Sequence, residues 1–422
     1  MTSKIYGIDF GTTNSAVAVA ENGDVRVLPI LEKERKTMRS VLFFPRNERG
    51  YFVGEEAISQ YVETGMEGRF MQSVKTFLAD RGFTGTVIRG KNYTIENLIA
   101  LILRELKVRA DRIVGEDVRS VILGRPARFS EDAEFDELAE RRLVEAAKQA
   151  GFQEVCLQLE PIAAAYSYEL TLGKSELVFI ADLGGGTSDF AVIRLDPQKR
   201  RRQDRFSDIM GTLGAYVGGD NLDSEIMSHK LLRFFGSQIH YQSFDKVLPM
   251  PAHLMRALCE WHRISSLKDT QYREFVKMLR RSADDKKAIE YLHALIEEDL
   301  GFSLFRIIER SKQHLSTDMS DKIRFHESVI HIEEDITREE FEWMISKEVY
   351  SIERCVDQLI TRSGVAVSDI DSVFLTGGIS HIPRLRKIFT DKFGKKTLRS
   401  GDVFVSVAEG LALSASALSW SS

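Results

Sequence analysis

An α/β fold in two lobes, facing each other across a cleft, is what the sequence predicts, and three observations predict it. Residues 180–193, IADLGGGTSDFAVI, read as an apolar strand, an aspartate, a turn of three glycines and a second strand. Residues 5–19, IYGIDFGTTNSAVAV, say the same thing again, which points to a duplicated architecture. Around both hairpins strands alternate with helices, and 422 residues are long for one core and comfortable for two.

Both turns have the chemistry of an anion mouth. Three glycines in a row permit φ > 0 and leave no Cβ in the way, so the N–H groups of Gly184, Gly185, Gly186 and Thr187 can converge on one anion. Asp182 and Asp189 add carboxylates where a hydrated magnesium ion would sit. The first turn supplies Asp9, Gly11, Thr12, Thr13 and Asn14, so that each wall of the cleft carries an aspartate. Either turn alone is equally an ordinary glycine hairpin with solvated acids; the repetition argues otherwise. Neither is a Walker A loop, which needs a lysine after its last glycine and a following helix.

Taken in order, residues 25–28 and 41–44 read as strands and 54–61 as a short helix. Residues 69–78, RFMQSVKTFL, place Lys75 in an amphipathic turn, where by itself it reads as a solvated surface lysine. Thr94 caps a helix to about residue 114, with Glu96 in its first turn and Leu98, Ile99, Leu101, Ile102 and Leu106 on its apolar face. A strand over 118–123 follows, then a second long helix capped by Ser130 and stopped at Gly151. Residues 154–159 form a brief strand, and Pro161 opens a helix over 162–172 whose preceding Glu160 reads as a capping acid.

After the second hairpin, the basic run 199–205 is read as solvated loop. Gly218 and Gly219 lead, through Asp220 and Asp223, into a helix over 222–235, and from there to about 316 the periodicity is helical without a strand, including 252–267 and 272–281. Trp261 reads as core and His262 as surface. In the helix 301–316, Glu309, Lys312 and Ser316 share one face, by itself an exposed salt-bridged one. A short strand over 329–332, a capping box at residues 337–340 opening a helix to about 360, and a strand over 372–375 come next. That strand runs into Gly377 and Gly378, a third glycine turn at the end of a strand, where α/β sheets place ligands. Helices over 383–393 and 408–418 complete the chain.

Charged residues at 29% and apolar ones at 43% are the balance of a soluble globular protein, and a net charge of −5 offers no argument for nucleic acid or a membrane. Cys156, Cys259 and Cys355 are widely spaced and form no ligand pattern, so they read as reduced and mostly buried, which makes a cytoplasmic setting the expectation.

Assembled, these motifs resemble the ATPase domain of the DnaK-type 70-kDa heat-shock chaperones, within the actin, hexokinase and heat-shock ATPase superfamily, over nearly the whole chain. GIDFGTTNSAVAV and IADLGGGTSDFAV resemble the family's two phosphate motifs, SVKTFL its lysine segment and LEPIAAAYSY its connecting segment. VGGDNLD, ERSKQHLS and FLTGGISHIPRL resemble its glycine-acid, ribose-binding and adenosine segments. The resemblance implies a two-lobed actin-like ATPase fold with duplicated ribonuclease H-like lobes, binding ATP or ADP with magnesium. Lobe I would span 1–172 with a subdomain at about 40–116, lobe II 173–402 with a helical subdomain at about 218–320, and 403–422 would form a C-terminal helix. By carry-over, Asp9 and Asp182 would hold magnesium through waters. Gly11, Thr12, Thr13, Asn14, Gly184, Gly185, Gly186 and Thr187 would contact phosphate, Lys75 would reach the γ-phosphate, and Glu160 and Thr187 would orient the attacking water, with Asp189 completing the polar end. Gly218, Gly219, Glu309, Lys312, Ser316, Gly377, Gly378 and His381 would complete the nucleoside end.

Departures from the family pattern fall at that end. Its two adenine-stacking arginines are matched by Gln313 and His381, a serine by Ile379 and an acid by Phe404. Losing two guanidinium stacks removes on the order of 1–2 kcal/mol. The expected protein is a slow, chaperone-like ATPase without a peptide-binding domain, similar to the YegD-like, ATPase-only branch. It is expected to be monomeric, to act on an unknown protein client or co-chaperone, and to bind no extended apolar peptide by itself. A carbohydrate kinase of the same superfamily, or an actin- or MreB-like filament protein, are the alternatives.

Overall fold

The structure, a computed structural model, describes residues 4–65, 67–199, 205–264, 267, 270–401 and 405–416. Most of the basic run, Phe404 and the final residues of the chain lie outside the described residues, as do the side chains of Trp261 and His262.

A six-stranded and a five-stranded sheet share one five-strand order. In the first, Ile5–Phe10 pairs antiparallel with Asn14–Glu21, which pairs with Asp24–Val27, while on its other side Ile5–Phe10 runs parallel to Ser120–Arg125 and that strand parallel to Glu154–Leu159. The short strand Thr37–Arg39 adds to Asn14–Glu21. In the second, Glu176–Leu183 pairs antiparallel with Ser188–Leu195 and that with Ile209–Ala215, while Ser372–Thr376 and Leu398–Ser400 continue in parallel. The central strands of both sheets are buried on both faces, which is why they read as unbroken apolar runs. The duplication and the two-lobed α/β class are therefore borne out.

Each sheet carries its own apolar core. Helices Ile95–Val114 and Ala133–Ala150 cover the first, with Leu98, Ile102, Leu106 and Leu143 fully buried. A third core lies between the sheets, where helices Glu160–Glu169 and Ser406–Leu413 bring Ile162, Ala165 and Leu411 against Ile122, Ile180 and Ile193. Glycine permits this crossing: a Cβ on Gly410 would stand 1.7 Å from the Ala163 carbonyl oxygen, and one on Gly7 would stand 2.3 Å from the Ala412 nitrogen.

Several elements differ from the expectation. Asp132, not Ser130, caps the second long helix, accepting from the N–H groups of Glu134 and Phe135. Residues 69–72 belong to strand Gly68–Gln72 before the short turn Val74–Phe77. The segment read as wholly helical contains a hairpin, His240–Ser243 with Lys246–Pro249, because Phe244 in left-handed backbone (φ 51°) turns an alternating pattern that is only four residues long on each side. Residues 252–267 break after Cys259, and the helix after the capping box breaks at Ile345. The strand over 329–332 is the longer Ile330–Thr337, paired with Ser320–Glu327. Cys355 alone is buried; Cys156 and Cys259 are half-buried, and all three are free. Among the described residues no helix is long and apolar enough to cross a membrane.

The helix crossing gives a direct test. Gly410→Ala is expected to destabilise the fold by about 2 kcal/mol or more through overpacking against backbone, whereas Gly173→Ala, with open space around it, is expected to be near neutral. Equal unfolding midpoints for the two variants in a denaturant titration would refute the close crossing.

Candidate functional site

The two hairpin turns meet tip to tip at the floor of a cleft of about 810 Å³. Their fit is steric. A Cβ on Gly185 would lie 2.5 Å from Thr13 Oγ1 and one on Gly186 2.8 Å from Thr12 Oγ1, so only glycine lets the turns approach. This corrects the expectation of positive φ, since none of Gly184, Gly185 and Gly186 adopts it. The Gly184 N–H also closes the turn onto the Thr187 carbonyl at 2.9 Å and is not available to an anion.

Of the residues expected at the site, all but Asp189 and Gly218 line the cleft. Gly218 packs behind the second turn, where a Cβ would stand 2.4 Å from the Gly185 carbonyl oxygen. The following N–H groups, of Gly219 and Asp220, donate to the Gly184 and Gly185 carbonyls at 3.0 and 2.8 Å and buttress the turn. Gly377 does need its glycine conformation, at φ 81°, with a would-be Cβ 2.2 Å from the Leu183 carbonyl oxygen. Asp189 lies behind the cleft wall, 1% exposed. Its Oδ2 accepts from Thr187 Oγ1 at 2.6 Å and its Oδ1 from the Ala127 N–H at 2.6 Å, so it orients the Thr187 hydroxyl and ties the first lobe to the second turn.

Lys75 is not a surface lysine. It sits on the turn Val74–Phe77, entered through left-handed Ser73 (φ 48°), and its Nζ donates to Glu160 Oε1 at 2.6 Å with both side chains buried. Glu160 makes no capping hydrogen bond at the start of its helix; the strand end and helix start aim it across the cleft instead. The Lys75 ammonium is opposed by burial, and the charges of Glu160, Asp9 and Asp189 outweigh that and hold its pKa above the ordinary lysine value.

That one ammonium faces an excess of carboxylates. Loss of water first, and then the charge of Glu160, push Asp9 up to about 7 and Asp189 up to about 7, and Asp182 is driven well above the usual carboxylate range by the same two causes. Among the described residues no group of three or more His, Cys, Asp or Glu side chains could cage a metal ion. The site is therefore short of positive charge yet offers no all-protein cage, which fits magnesium held through waters and a ligand's phosphates.

At the other end of the cleft, helix Gly301–Thr317 presents Glu309, Lys312, Gln313 and Ser316, facing Gly377, Gly378, Ile379 and His381. The face is not the exposed ion-paired one its spacing allowed. Glu309 takes both nitrogens of Arg39 from the first lobe, at 3.1 and 2.9 Å, and Lys312 is buried, donating to Asp223 Oδ2 at 2.8 Å and the Gly219 carbonyl at 2.9 Å. Asp223, pushed up to about 7 by burial against the pull of Lys312, and Arg39 are cleft residues the sequence reading missed. Arg39 belongs to no motif. Asp223 stands within VGGDNLD, where only its place near a helix start drew notice.

Two sheets of one topology, glycine turns facing each other, and a lysine and several carboxylates buried between them define a two-lobed protein of the actin-like ATPase fold. The model of the Hsp70 protein family matches residues 5–248 and 296–421, and the chain belongs to the Hsp70 family. Members of that family are nucleotide-binding, chaperone-type ATPases. The unmatched stretch falls in the helical part of the second lobe, from the end of the hairpin at Pro249 into helix Lys286–Glu297.

Asp9 yields a pH test. Its folded value of about 7 lies above the ordinary 3.8, so the stability of the metal- and nucleotide-free protein associated with this group is complete below the unfolded value and is lost as pH rises through 7. Asp9→Asn removes that loss. The variant's unfolding midpoint is expected to exceed the wild type's by a margin that widens from pH 4 to pH 7 and then levels off; a constant margin would contradict a raised Asp9.

Proposed function

We propose that this protein binds ATP with magnesium in the inter-lobe cleft, hydrolyses it slowly to ADP and phosphate, and uses the difference between the two bound forms as a conformational switch read by a protein partner, a client or a co-chaperone. The observation that carries the reading is the buried Lys75–Glu160 pair, 2.6 Å apart, set between the two interlocked turns. Membership of the Hsp70 family supports the nucleotide and the reaction class.

Each residue then has a role. The N–H groups of Gly185, Gly186 and Thr187, with the hydroxyls of Thr12 and Thr13, bind the phosphate oxygens, and Asp9 and Asp182 hold the cation's waters. Magnesium, when bound, neutralises phosphate charge that builds on the leaving group. Lys75 presents its ammonium to the terminal phosphate while Glu160 orients the attacking water. Thr187, its proton committed to Asp189, turns a lone pair of its oxygen toward that water. Phosphoryl transfer needs little covalent help, so positioned charge of this kind is the main source of rate. We assign 1–172 and 173–402 to the two moving lobes, with helices Glu160–Glu169 and Ser406–Leu413 crossing at their junction.

Asp182→Asn and Lys75→Ala are each expected to lower ATP turnover by roughly a hundredfold or more, measured as phosphate release in single-turnover assays. Turnover at the wild-type rate in both variants would remove the assignment.

The base end gives an independent expectation. Gln313 and His381 line the cleft where the family resemblance puts arginines, and neither supplies a guanidinium to stack on adenine. The double replacement Gln313→Arg and His381→Arg is expected to tighten ADP binding about tenfold, the equivalent of about 1.4 kcal/mol; calorimetry showing no gain would mean that other groups hold the base.

A further inference from the structure

One buried cation has no part in the chemistry described so far. Arg142 stands midway along helix Ala133–Ala150, 9% exposed, and belongs to none of the sequence motifs. Its guanidinium is spread over one short stretch of chain. Nη1 donates to the carbonyls of Phe77, Leu78 and Asp80 at 3.2, 2.9 and 2.9 Å, and Nη2 donates to the Phe83 carbonyl at 3.4 Å. Nε pairs with Glu96 at 3.4 Å. Glu96 lies in the first turn of helix Ile95–Val114, so the guanidinium is itself fixed by the two helices that cover the first sheet.

The stretch it holds follows directly on the turn that carries Lys75. Residues 78–84 form neither helix nor strand, so their carbonyls enter no ladder. A buried carbonyl left without a donor is costly. A planar guanidinium, with its donors in a rigid fork, serves several such carbonyls at once and fixes their relative positions, whereas a lysine ammonium is a point donor. The link to Lys75 is short: the Leu78 N–H donates to the Lys75 carbonyl at 3.1 Å, while the Leu78 carbonyl accepts from Arg142. Phe77, the last residue of the turn Val74–Phe77, is held at its own carbonyl in the same way. Lys75, Thr76 and Ala79 line the cleft and Arg142 does not, so the arginine grips this stretch from behind.

We infer that Arg142 is a positioning residue for ATP hydrolysis, acting through Lys75. The inference rests on the nucleotide reading above and on the place of Lys75 in it. Lys75 reaches its buried position from a turn of four residues entered in left-handed backbone, so the place of its ammonium is set by where that turn is anchored. Without Arg142 the turn loses the anchor on its C-terminal side, and the ammonium stays drawn to Glu160 but is no longer held in register with the terminal phosphate. A catalytic group displaced by about 1 Å can cost about a hundredfold in rate.

The test is a double-mutant cycle in the full chain, comparing wild type, Arg142→Ala, Lys75→Ala and the double variant. Single-turnover ATP hydrolysis with magnesium is measured in each, with ADP affinity followed by calorimetry. Arg142→Ala is expected to lower the hydrolysis rate roughly 10- to 100-fold and to leave ADP affinity unchanged, because Lys75 faces the phosphate that ADP lacks. In the Lys75→Ala background the same replacement should change nothing, since the residue through which it acts is gone. Added guanidinium ion should restore part of the rate to Arg142→Ala and none to the double variant. If Arg142→Ala does not fold, Arg142→Lys, which keeps the buried charge and the stem, runs the same cycle with a smaller loss, again confined to the background that retains Lys75. Wild-type turnover in the Arg142 variants, an equal fold loss in both backgrounds, or a loss of ADP affinity that matches the loss of rate overturns the inference and leaves the nucleotide reading intact. No hydrolysis by the wild type overturns the nucleotide reading itself, and this inference with it.

Discussion

Keeping Asp9, Glu160, Asp182 and Asp189 together around the single ammonium of Lys75 is the constraint on which the rest of the structure depends. Burial, and then the charge of Glu160, make Asp9, Asp182 and Asp189 resist ionisation, and the lysine answers only part of their charge. Such a cluster is tolerable only if a cation arrives with the ligand or protons remain. The fold thus carries a cost at its centre, and strongly perturbed carboxylates of this kind cluster at functional sites.

The scaffold supplies rigidity by close approach. The turns between the paired strands interlock through Gly185 and Gly186 against Thr13 and Thr12, and Gly218 lets a third segment lie against the back of the second turn. Behind them, the crossing at Gly410 and Ala163 joins the lobes through backbone contact with no intervening side chain.

Across the mouth of the cleft the lobes also touch. Besides Arg39 with Glu309, Ser73 Oγ donates to Asp220 Oδ2 at 3.0 Å, Tyr61 donates to the Asp299 carbonyl at 2.7 Å, and Phe302 packs on Phe70 and Tyr61 with ring centroids 4.3 and 5.8 Å away. Together with the Arg39–Glu309 pair, these contacts hold the first lobe against the helical part of the second.

What the sequence by itself determined was local: the two strand–turn–strand units, the third glycine turn, the capped helices beginning at Ile95 and Arg338, and the family. Each of these is written in neighbouring residues, as an apolar run, a glycine cluster or a cap, and local geometry follows from them. The short hairpin at His240–Pro249 escaped because four alternating residues on each side cannot outweigh the helical period around them. The tertiary structure alone decided which charges are buried and with whom. Lys75 and Glu160 are 85 residues apart and Arg39 and Glu309 are 270 apart, and read singly they are a surface lysine, a capping acid and an exposed helix face. Removal from water and the choice of partner depend on what the folded chain brings near, and no periodicity in the sequence records that.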